Sequence, residues 1–313
     1  MDKIDIRFIA SQAQVSPATV SRVLNKTKTV SPELRTRVLN TIEKYDYRPN
    51  QVARGLINHK TRLIGIVTPK VSNAFHAELI SQIEAEADRA HYNVIISNIL
   101  GNFENEKKTF RIMKDRQVDG IILLHENTPD EMRELEEIVD FPIVLASVRV
   151  KDSLLPTVAI DDERAAFEAA RYLCQLGHVR IAGVFSDSYS TGTLRRKGFL
   201  EGLQSWGIDR NSISLYTTEC SFGGGIAVAT EIKNQKNLRI RVPEDISVFS
   251  FDDIELSGFV RPRLSTIHQP IQDIGRKATD LLIKLIDEKP LAQREFLLPH
   301  QVIVRDSCAN PRD

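Results

Sequence analysis

Residues 15–25 read Val-Ser-Pro-Ala-Thr-Val-Ser-Arg-Val-Leu-Asn, and this stretch decides the fold of the N-terminal region. Ser16 is a suitable N-cap and Pro17 suits the first helical position, so the sequence predicts a helix beginning there. Val20, Val23 and Leu24 form a narrow apolar stripe on this helix. The opposite face is small, polar and basic, with no acidic residue, and consists of Pro17, Ala18, Ser21, Arg22 and Asn25.

Two further helices are predicted around this one. An apolar stripe at helical spacing predicts a short helix over about 6–13, with the members Ile6, Ile9, Ala10 and Ala13. Ser31 caps a third helix, with Pro32 at its first position and a stripe of Leu34, Val38, Leu39, Ile42 and Tyr45. Three short helices with a tight connection at 14–16 are typical of a helix-turn-helix, whose second helix lies in the DNA major groove. A three-helix bundle with a merely solvated polar face is the alternative.

The charge distribution favours the DNA-binding interpretation. The net charge is zero, with 42 basic and 42 acidic residues, yet residues 1–62 contain 12 Lys/Arg against five Asp/Glu. A basic N-terminal region on an acidic remainder suggests a polyanionic partner. In a major groove, Arg22 can make paired hydrogen bonds to guanine, and Asn25 can reach a phosphate or a base.

The remaining composition is that of a soluble globular protein. At 313 residues, with 42% hydrophobic and 27% charged residues, the chain is long enough for a small domain joined to a bilobed one. Three cysteines without pairing or metal-type spacing favour a reduced, cytoplasmic setting, and no segment looks like a signal peptide or a membrane span. The histidines and the triple glycine at 223–225 lack metal-binding and phosphate-loop spacings. We therefore expect no metal, no cofactor, no membrane association and no enzymatic activity.

From Arg62 onward, short apolar strands alternate with helices. Predicted helices span 74–91, 104–117 and 128–139, and a second cycle contains helices 163–176, 191–206, 223–235 and 270–288. This alternation predicts parallel sheets covered by helices. Two doubly wound lobes of this kind resemble periplasmic sugar-binding proteins, in which a ligand cleft lies between the lobes.

Many stretches in order along nearly the whole chain closely resemble the LacI/GalR family of transcriptional repressors. They include ATVSRVLN, VSPELRTRVLNTIEKYDYRPNQVARGL, RLIGIVTPKVSNAFHAEL, VDGIILL, LGHVRIA, RRKGF, VPEDISVFSFDDI and LSTIHQPIQDIGRKA. The body is most similar to the cytidine, purine and catabolite-control repressors. The resemblance implies a small all-α helix-turn-helix head at 1–49, a hinge helix and linker at 50–61, and an α/β body at 62–313. The body would contain two doubly wound parallel-sheet lobes of periplasmic-binding-protein type, lobe 1 at about 62–160 plus 292–305 and lobe 2 at about 161–291.

The resemblance also implies a set of functional residues. In the head and hinge, the implied DNA contacts are Pro17, Ala18, Thr19, Ser21, Arg22, Asn25, Asn50, Ala53 and Leu56, with Leu56 as an apolar wedge in the minor groove. Alternatively, 50–62 is only a linker. In the cleft, the implied effector contacts are Phe75, His76, Asp161, Tyr189, Thr191, Arg195, Cys220 and Asp252, although each could instead have a surface or packing role. An aromatic ring, an arginine and a carboxylate suit a sugar or nucleoside-like effector.

Two departures from the family pattern stand out. Gln14 stands where the family usually has glycine, so a positive φ at this turn would be mildly strained. After helix 223–235, about one strand–helix unit, roughly 25 residues, is absent. In relatives that strand lies centrally in the second sheet and its helix contributes to the dimer contact. We predict that strand 246–251 moves into the vacant place beside 180–186.

Three functions are compatible with the sequence. The first is a homodimeric repressor that reads a near-palindromic operator and responds to a small effector. The second is a DNA-binding regulator whose incomplete second lobe ignores ligands. The third is a soluble sugar-binding or nucleoside-processing α/β protein with an incidental basic head, which would need an export signal or a catalytic constellation, and we find neither in the sequence.

Overall fold

The structure, a computed structural model, describes residues 4–25, 30–47, 60–150, 152–186, 190–236 and 240–311. The chain divides into two compact units, residues 1–61 and 62–313. Each unit is described separately below. Within the part of the chain that the structure describes, no helix is both long and apolar enough to cross a membrane.

The N-terminal unit contains the three predicted helices: α1 (Ile6–Gln12), α2 (Pro17–Asn25) and α3 (Pro32–Lys44). Asp5 and Ser31 cap α1 and α3 through side-chain oxygens that accept from Phe8 N and Leu34 N. The core consists of the inward residues of all three helices, namely Ile9, Ala10, Ala13, Val20, Val23 and Val38. Leu39 is a correction to the predicted stripe, because its position on α3 leaves it 45% exposed beside the fully buried Val38.

The second unit alternates strands and helices as the sequence predicts. Its strands are β1 (Leu63–Thr68), β2 (Asn93–Asn98), β3 (Gly120–Leu123), β4 (Ile143–Ala146), β5 (Thr157–Ile160), β6 (Ile181–Phe185), β7 (Ile213–Thr217), β8 (Phe249–Asp252), β9 (Ser265–His268), β10 (Glu295–Leu298) and β11 (Gln301–Ile303). Its helices are α4 (Ala74–Arg89), α5 (Phe103–Asp115), α6 (Pro129–Ile138), α7 (Asp162–Gln175), α8 (Ser190–Ser205), α9 (Phe222–Lys236), α10 (Leu256–Phe259) and α11 (Ile271–Ile286).

Lobe 1 is built on one continuous six-stranded sheet. The strand order is β10-β5-β4-β3-β1-β2, and every pairing in it is parallel. Strands β3, β4 and β5 are buried along their whole length, as expected for a parallel sheet covered on both faces. One face packs against α4 and α11, and the other against α5 and α6.

Two segments belong to the other lobe from the one predicted. Helix α11, predicted in lobe 2, packs against α4 and the lobe 1 strands β3, β4 and β5. Its apolar face, which includes the buried Ile274, Ala278 and Leu282, fills the lobe 1 core. Strand β11, predicted in lobe 1, instead pairs antiparallel with β9 in lobe 2. The chain therefore crosses between the lobes before α11 and again after β10.

The strands of lobe 2 form two separate sheets. One contains β6 and β7, and the other has the order β11-β9-β8. The predicted pairing of strand 246–251 with 180–186 is therefore wrong. Strand β8 is held beside β9 by a parallel register from Phe249 opposite Ser265 to Asp252 opposite His268. Its rings Phe249 and Phe251 pack against the cluster around Ile160 and Ile267, and leaving β9 would forfeit these contacts.

Candidate DNA interface and interlobe cleft

The start of α2 is fixed by its own side chains. Ser16 Oγ accepts from Thr19 N at 3.1 Å and lies 2.9 Å from Thr19 Oγ1. This side-chain cap satisfies a donor that has no partner within the helix. Thr19, one of the DNA contacts that the resemblance implies, is half-buried and takes part in this cap.

The polar face of α2 points away from the core. Val20 and Val23 are buried, whereas Pro17, Ala18 and Arg22 are exposed and Ser21 is half-buried. Basic and small side chains are thus presented together on one helical face, as major-groove binding requires. The side chain of Asn25 and the predicted hinge contacts Asn50, Ala53 and Leu56 lie outside the described residues.

The turn before α2 has the geometry expected from the sequence. Gln14 has φ 52°, which confirms that a side chain stands where the backbone is left-handed. Arg37 of α3 donates from Nη2 to the Gln14 carbonyl oxygen at 3.4 Å. Tyr45 donates to Gln12 Oε1 at 3.0 Å, and its ring meets Phe8 edge-on. These contacts with the third helix thereby stabilise the turn that precedes α2.

In the second unit, Arg195 of α8 is the centre of a polar cluster formed by residues of lobe 2. Its Nε donates to Asp162 Oδ1 at 2.7 Å, and its Nη2 lies 3.5 Å from Asp252 Oδ1. The guanidinium carbon is 3.7 Å from the centre of the Phe251 ring, so the cation also stacks on an aromatic face. The predicted pair of Arg195 and Asp252 is therefore brought together, with Asp162 and Phe251 as additional partners.

The close approach of α7 and α8 makes this cluster possible. A Cβ at Gly198 would lie 1.9 Å from the Glu163 carbonyl oxygen, and one at Gly202 would lie 2.7 Å from Ala170 Cβ. Only glycine permits such a separation of the two helices. Because Arg195 precedes Gly198 by one turn, it lies directly against Asp162 at the start of α7.

Burial and charge act against each other in this cluster. Burial lowers the pKa of Arg195, but Asp162 and Asp252 outweigh it, so the net shift is upward. Burial raises the pKa of Asp162, and the Arg195 guanidinium opposes that shift. Asp252 Oδ1 also accepts from Gln269 Nε2 at 2.6 Å. These interactions hold the hydrogen-bonding groups of the cluster in fixed positions.

Two side-chain contacts join the lobes beside this cluster. Glu126, which follows β3 in lobe 1, accepts from the backbone N of Thr191 in lobe 2, at 3.1 Å to Oε1 and 3.2 Å to Oε2. Asn73, the cap of α4, donates from Nδ2 to Cys220 Sγ at 3.9 Å. Burial raises the pKa of the Cys220 thiol. Thr191 and Cys220 thus lie at the lobe boundary, and Tyr189 lies outside the described residues.

Three other predicted effector residues have different surroundings. Phe75 is 6% exposed and packs in the lobe 1 core. His76 Nδ1 lies 3.3 Å from Thr68 Oγ1, and burial lowers its pKa despite the opposing Coulombic influence of Asp252. Asp161 caps α7 by accepting from Arg164 N at 2.9 Å, while its neighbour Asp162 contacts Arg195.

Sequence reasoning missed four members of the site: Glu126, Asp162, Phe251 and Gln269. Asp162 and Phe251 are adjacent in sequence to the predicted residues Asp161 and Asp252, so the prediction reached the right segments but did not include these two side chains. Glu126 follows a buried strand, and polar residues at that position of an α/β sheet are candidates for ligand contacts. Among the described residues, no group of His, Cys, Asp and Glu could hold a metal ion.

Comparison with known protein families assigns both units. Residues 5–50 match the family described as bacterial regulatory proteins, lacI family. Residues 61–231, more than half of the chain, match the periplasmic binding proteins and sugar binding domain of the LacI family. Residues 225–308 match a periplasmic binding protein-like domain.

Individual proteins give the same result. Catabolite control protein A of Priestia megaterium is 34% identical over 334 positions, covering 97% of this chain and 99% of the relative. That alignment is longer than this 313-residue chain, which fits the absent strand–helix unit. The lac repressor dimer bound to operator and the anti-inducer ONPF has the same fold, with a TM-score of 0.88 and 24% identity over 98% of this chain and 100% of that one.

A third similar protein is a LacI family transcriptional regulator from Enterococcus faecium with bound ribose. Its TM-score is 0.70 and its identity is 23% over 80% of this chain and 100% of that one. Catabolite control protein A and the lac repressor, which resemble this chain over nearly its full length, are transcriptional regulators and not enzymes. The chain therefore belongs to the LacI family and is a DNA-binding transcriptional regulator with a helix-turn-helix head and a periplasmic-binding-protein-like body.

Proposed function

We propose that this regulator is a repressor that binds a near-palindromic operator as a homodimer, with α2 of each copy in a major groove. The observation that carries the proposal is the exposed face of α2, where Arg22 stands beside Pro17 and Ala18 above a buried Val20 and Val23. A two-fold symmetric dimer reads two half-sites of opposite direction. Asn25 and the hinge residues Asn50, Ala53 and Leu56 complete the proposed DNA contacts.

The proposal includes a small effector, a sugar or a nucleoside-like molecule, in the interlobe cleft. Carboxylates of Asp162 and Asp252 can accept from hydroxyl groups, and the Gln269 amide adds a further hydrogen-bonding group. The bound ribose in the Enterococcus faecium regulator supports a sugar as the ligand class. A ligand that contacts both lobes would shift their relative positions and so change the affinity for DNA.

The substitution Arg22→Ala tests the DNA-binding proposal. The operator is first selected from random duplexes by the full-length protein, and affinities are then measured by fluorescence anisotropy at fixed salt. Loss of a bidentate base contact should cost about 1–3 kcal/mol on the selected sequence and much less on random DNA. Arg35→Ala is the control, because it removes the same charge from an exposed position on α3. Equal losses for the two variants on the selected operator would show that α2 does not read the sequence.

A second candidate function is a DNA-binding regulator with a ligand-blind body. The divided lobe 2 sheet favours it, since the missing unit belongs to the lobe that carries Arg195 and Asp252. A panel of sugars and nucleosides tested by thermal unfolding separates the two candidates. A ligand that binds the folded state raises the unfolding temperature. Such a rise, lost in Asp252→Asn, would exclude the ligand-blind candidate.

A further inference from the structure

Glu126 occupies an unusual position between the lobes. Both of its carboxylate oxygens lie within 3.2 Å of the Thr191 amide nitrogen. Thr191 is the second residue of α8, so its amide is one of the donors that a helix leaves without an internal partner. A side chain of lobe 1 thus supplies the negative charge at the start of a lobe 2 helix.

The loop that carries Glu126 is fixed on its C-terminal side. Asn127 donates from Nδ2 to Oε1 of the buried Glu106 at 3.1 Å. Thr128 then caps α6, where it and Glu131 form a reciprocal capping box. The neighbours of Glu126 are therefore held within lobe 1, and its side chain extends from this support toward lobe 2.

The start of α8 is equally constrained. A Cβ at Gly192 would lie 1.8 Å from the Ser186 carbonyl oxygen, so the first turn of the helix rests directly on the chain that leaves β6. This close contact fixes the direction of the Thr191 amide. The interaction with Glu126 joins two supported elements, which is the condition for a side chain to select among ligands.

The charges around Glu126 disfavour a second anion. The N-terminus of a helix attracts negative charge, and Glu126 already occupies that position. Arg195 is engaged by both Asp162 and Asp252. Glu126 and Asp252 also lie close enough to Asp162 to raise its pKa, so carboxylates already neighbour one another here.

We propose that Glu126 sets the charge specificity of the cleft, because its carboxylate takes the place at the start of α8 where an anionic group of a ligand would bind. The cleft then accepts uncharged effectors and rejects phosphorylated or carboxylated ones. This inference rests on the proposed effector function and names the chemical class that the same cleft takes.

Amide hydrogen exchange of the full-length protein tests the proposal. The readout is the peptide that contains Thr191, and the probe is inorganic phosphate at constant ionic strength. The variants are Glu126→Ala and Glu126→Gln, and Glu137→Gln is the control, because Glu137 is an exposed carboxylate on α6. A local readout excludes any phosphate bound by the basic head.

In the parent protein and in Glu137→Gln, we expect exchange near Thr191 to be slow and insensitive to phosphate. In Glu126→Ala it should be about tenfold faster, reflecting the loss of a charge-assisted hydrogen bond, and phosphate should slow it again. Glu126→Gln, which keeps an acceptor but loses the charge, should be intermediate without phosphate and protected further by it. If Glu126→Ala fails to fold, Glu126→Gln alone decides.

The proposal is overturned if phosphate protects Thr191 equally in the parent protein, or if phosphate fails to protect it in the Glu126 variants. Either result is distinct from failure of the proposed effector function. That failure would appear as no thermal stabilisation by any uncharged sugar or nucleoside, whatever the exchange near Thr191 shows.

Discussion

Lobe 1 and lobe 2 have the same alternation of strands and helices, yet only lobe 1 completes its sheet. In lobe 1, the central strands β3 and β4 are buried at every residue. In lobe 2, β6 alternates between buried and exposed residues, and every residue of β8 is half-buried. Helix α9, at the point where the strand–helix unit is absent, leaves Phe222 and Ile226 more than 60% exposed.

This difference shows what a central strand contributes. It pairs with a strand on each side and covers the helices of both faces, so its absence divides the sheet and uncovers apolar helix surface. Arg195 and Asp252 keep their positions because their hydrogen-bonding partners are present. Arg195 donates to Asp162 at the start of α7, and Asp252 accepts from Gln269, which directly follows β9. The DNA-binding helices belong to the separate N-terminal unit, where all three helices share one buried core.

The largest expected effect concerns a carboxyl group within the well-packed lobe 1. Burial raises the pKa of Glu106 from 4.5 to about 7, partly opposed by the Asn127 hydrogen bond. The folded state therefore keeps a proton that the unfolded chain releases above pH 4.5. Stability should fall as the pH rises from about 4.5 to 7, by about 3 kcal/mol in total.

The substitution Glu106→Gln removes this titration and keeps the acceptor for Asn127. It should make the protein more stable at pH 8 and flatten the pH dependence between 4.5 and 7. Urea unfolding at a series of pH values measures both effects, with Glu137→Gln as the control for loss of one carboxylate. If Glu106→Gln leaves the slope of unfolding free energy against pH unchanged between pH 4.5 and 7, Glu106 of the parent protein is ionised in the folded state over that range.

A second pair of substitutions compares the tight and loose parts of lobe 2. Gly198→Ala would force a Cβ against the Glu163 carbonyl oxygen of α7, so we expect a loss of up to about 3 kcal/mol. Gly225→Ala, in the uncovered α9, meets nothing within 4 Å and should stabilise by about 0.5–1 kcal/mol. Thermal unfolding shows whether Gly198→Ala lowers and Gly225→Ala raises the unfolding temperature. Destabilisation by Gly225→Ala would indicate that another element covers α9.

A smaller effect compares a valine in the lobe 1 sheet with a valine in the β6–β7 sheet of lobe 2. Val144 in β4 is fully buried, whereas Val184 in β6 is 46% exposed. Val144→Ala should cost about 2 kcal/mol, and Val184→Ala less than about 0.5 kcal/mol. Urea unfolding of the two variants measures the difference. Similar costs would contradict an open edge at β6.

The local features of the fold could be read from the sequence. Ser31 with Pro32 correctly predicted the start of α3, and the outward face of α2 followed from the periodicity of Val20 and Val23. Helix α7 was predicted over 163–176 and spans Asp162–Gln175. These features depend on residues three or four positions apart, so the sequence alone determines them.

Contacts between distant segments could not be predicted in the same way. Strand β8 matched a strand pattern, but its choice of β9 as a partner depends on the packing of Phe249 and Phe251 against other segments. Glu126 and Thr191 are 65 positions apart, and no local pattern relates them. Helix α11 shows an apolar face without indicating which sheet it covers. Family resemblance therefore identified Arg195 and Asp252, whereas the contact between Glu126 and Thr191 follows only from the three-dimensional structure.

Amide hydrogen exchange of β3, β6 and β8 in the full-length protein tests most directly whether lobe 2 is divided. Peptides spanning 120–123 report on a strand paired on both sides, and those spanning 181–185 and 249–252 report on strands with one edge that pairs with no described strand. If the sheet is divided, β3 stays protected long after β6 and β8 have exchanged. Equal protection of all three strands would contradict the account, because it would require β6 and β8 to pair with each other or with another strand.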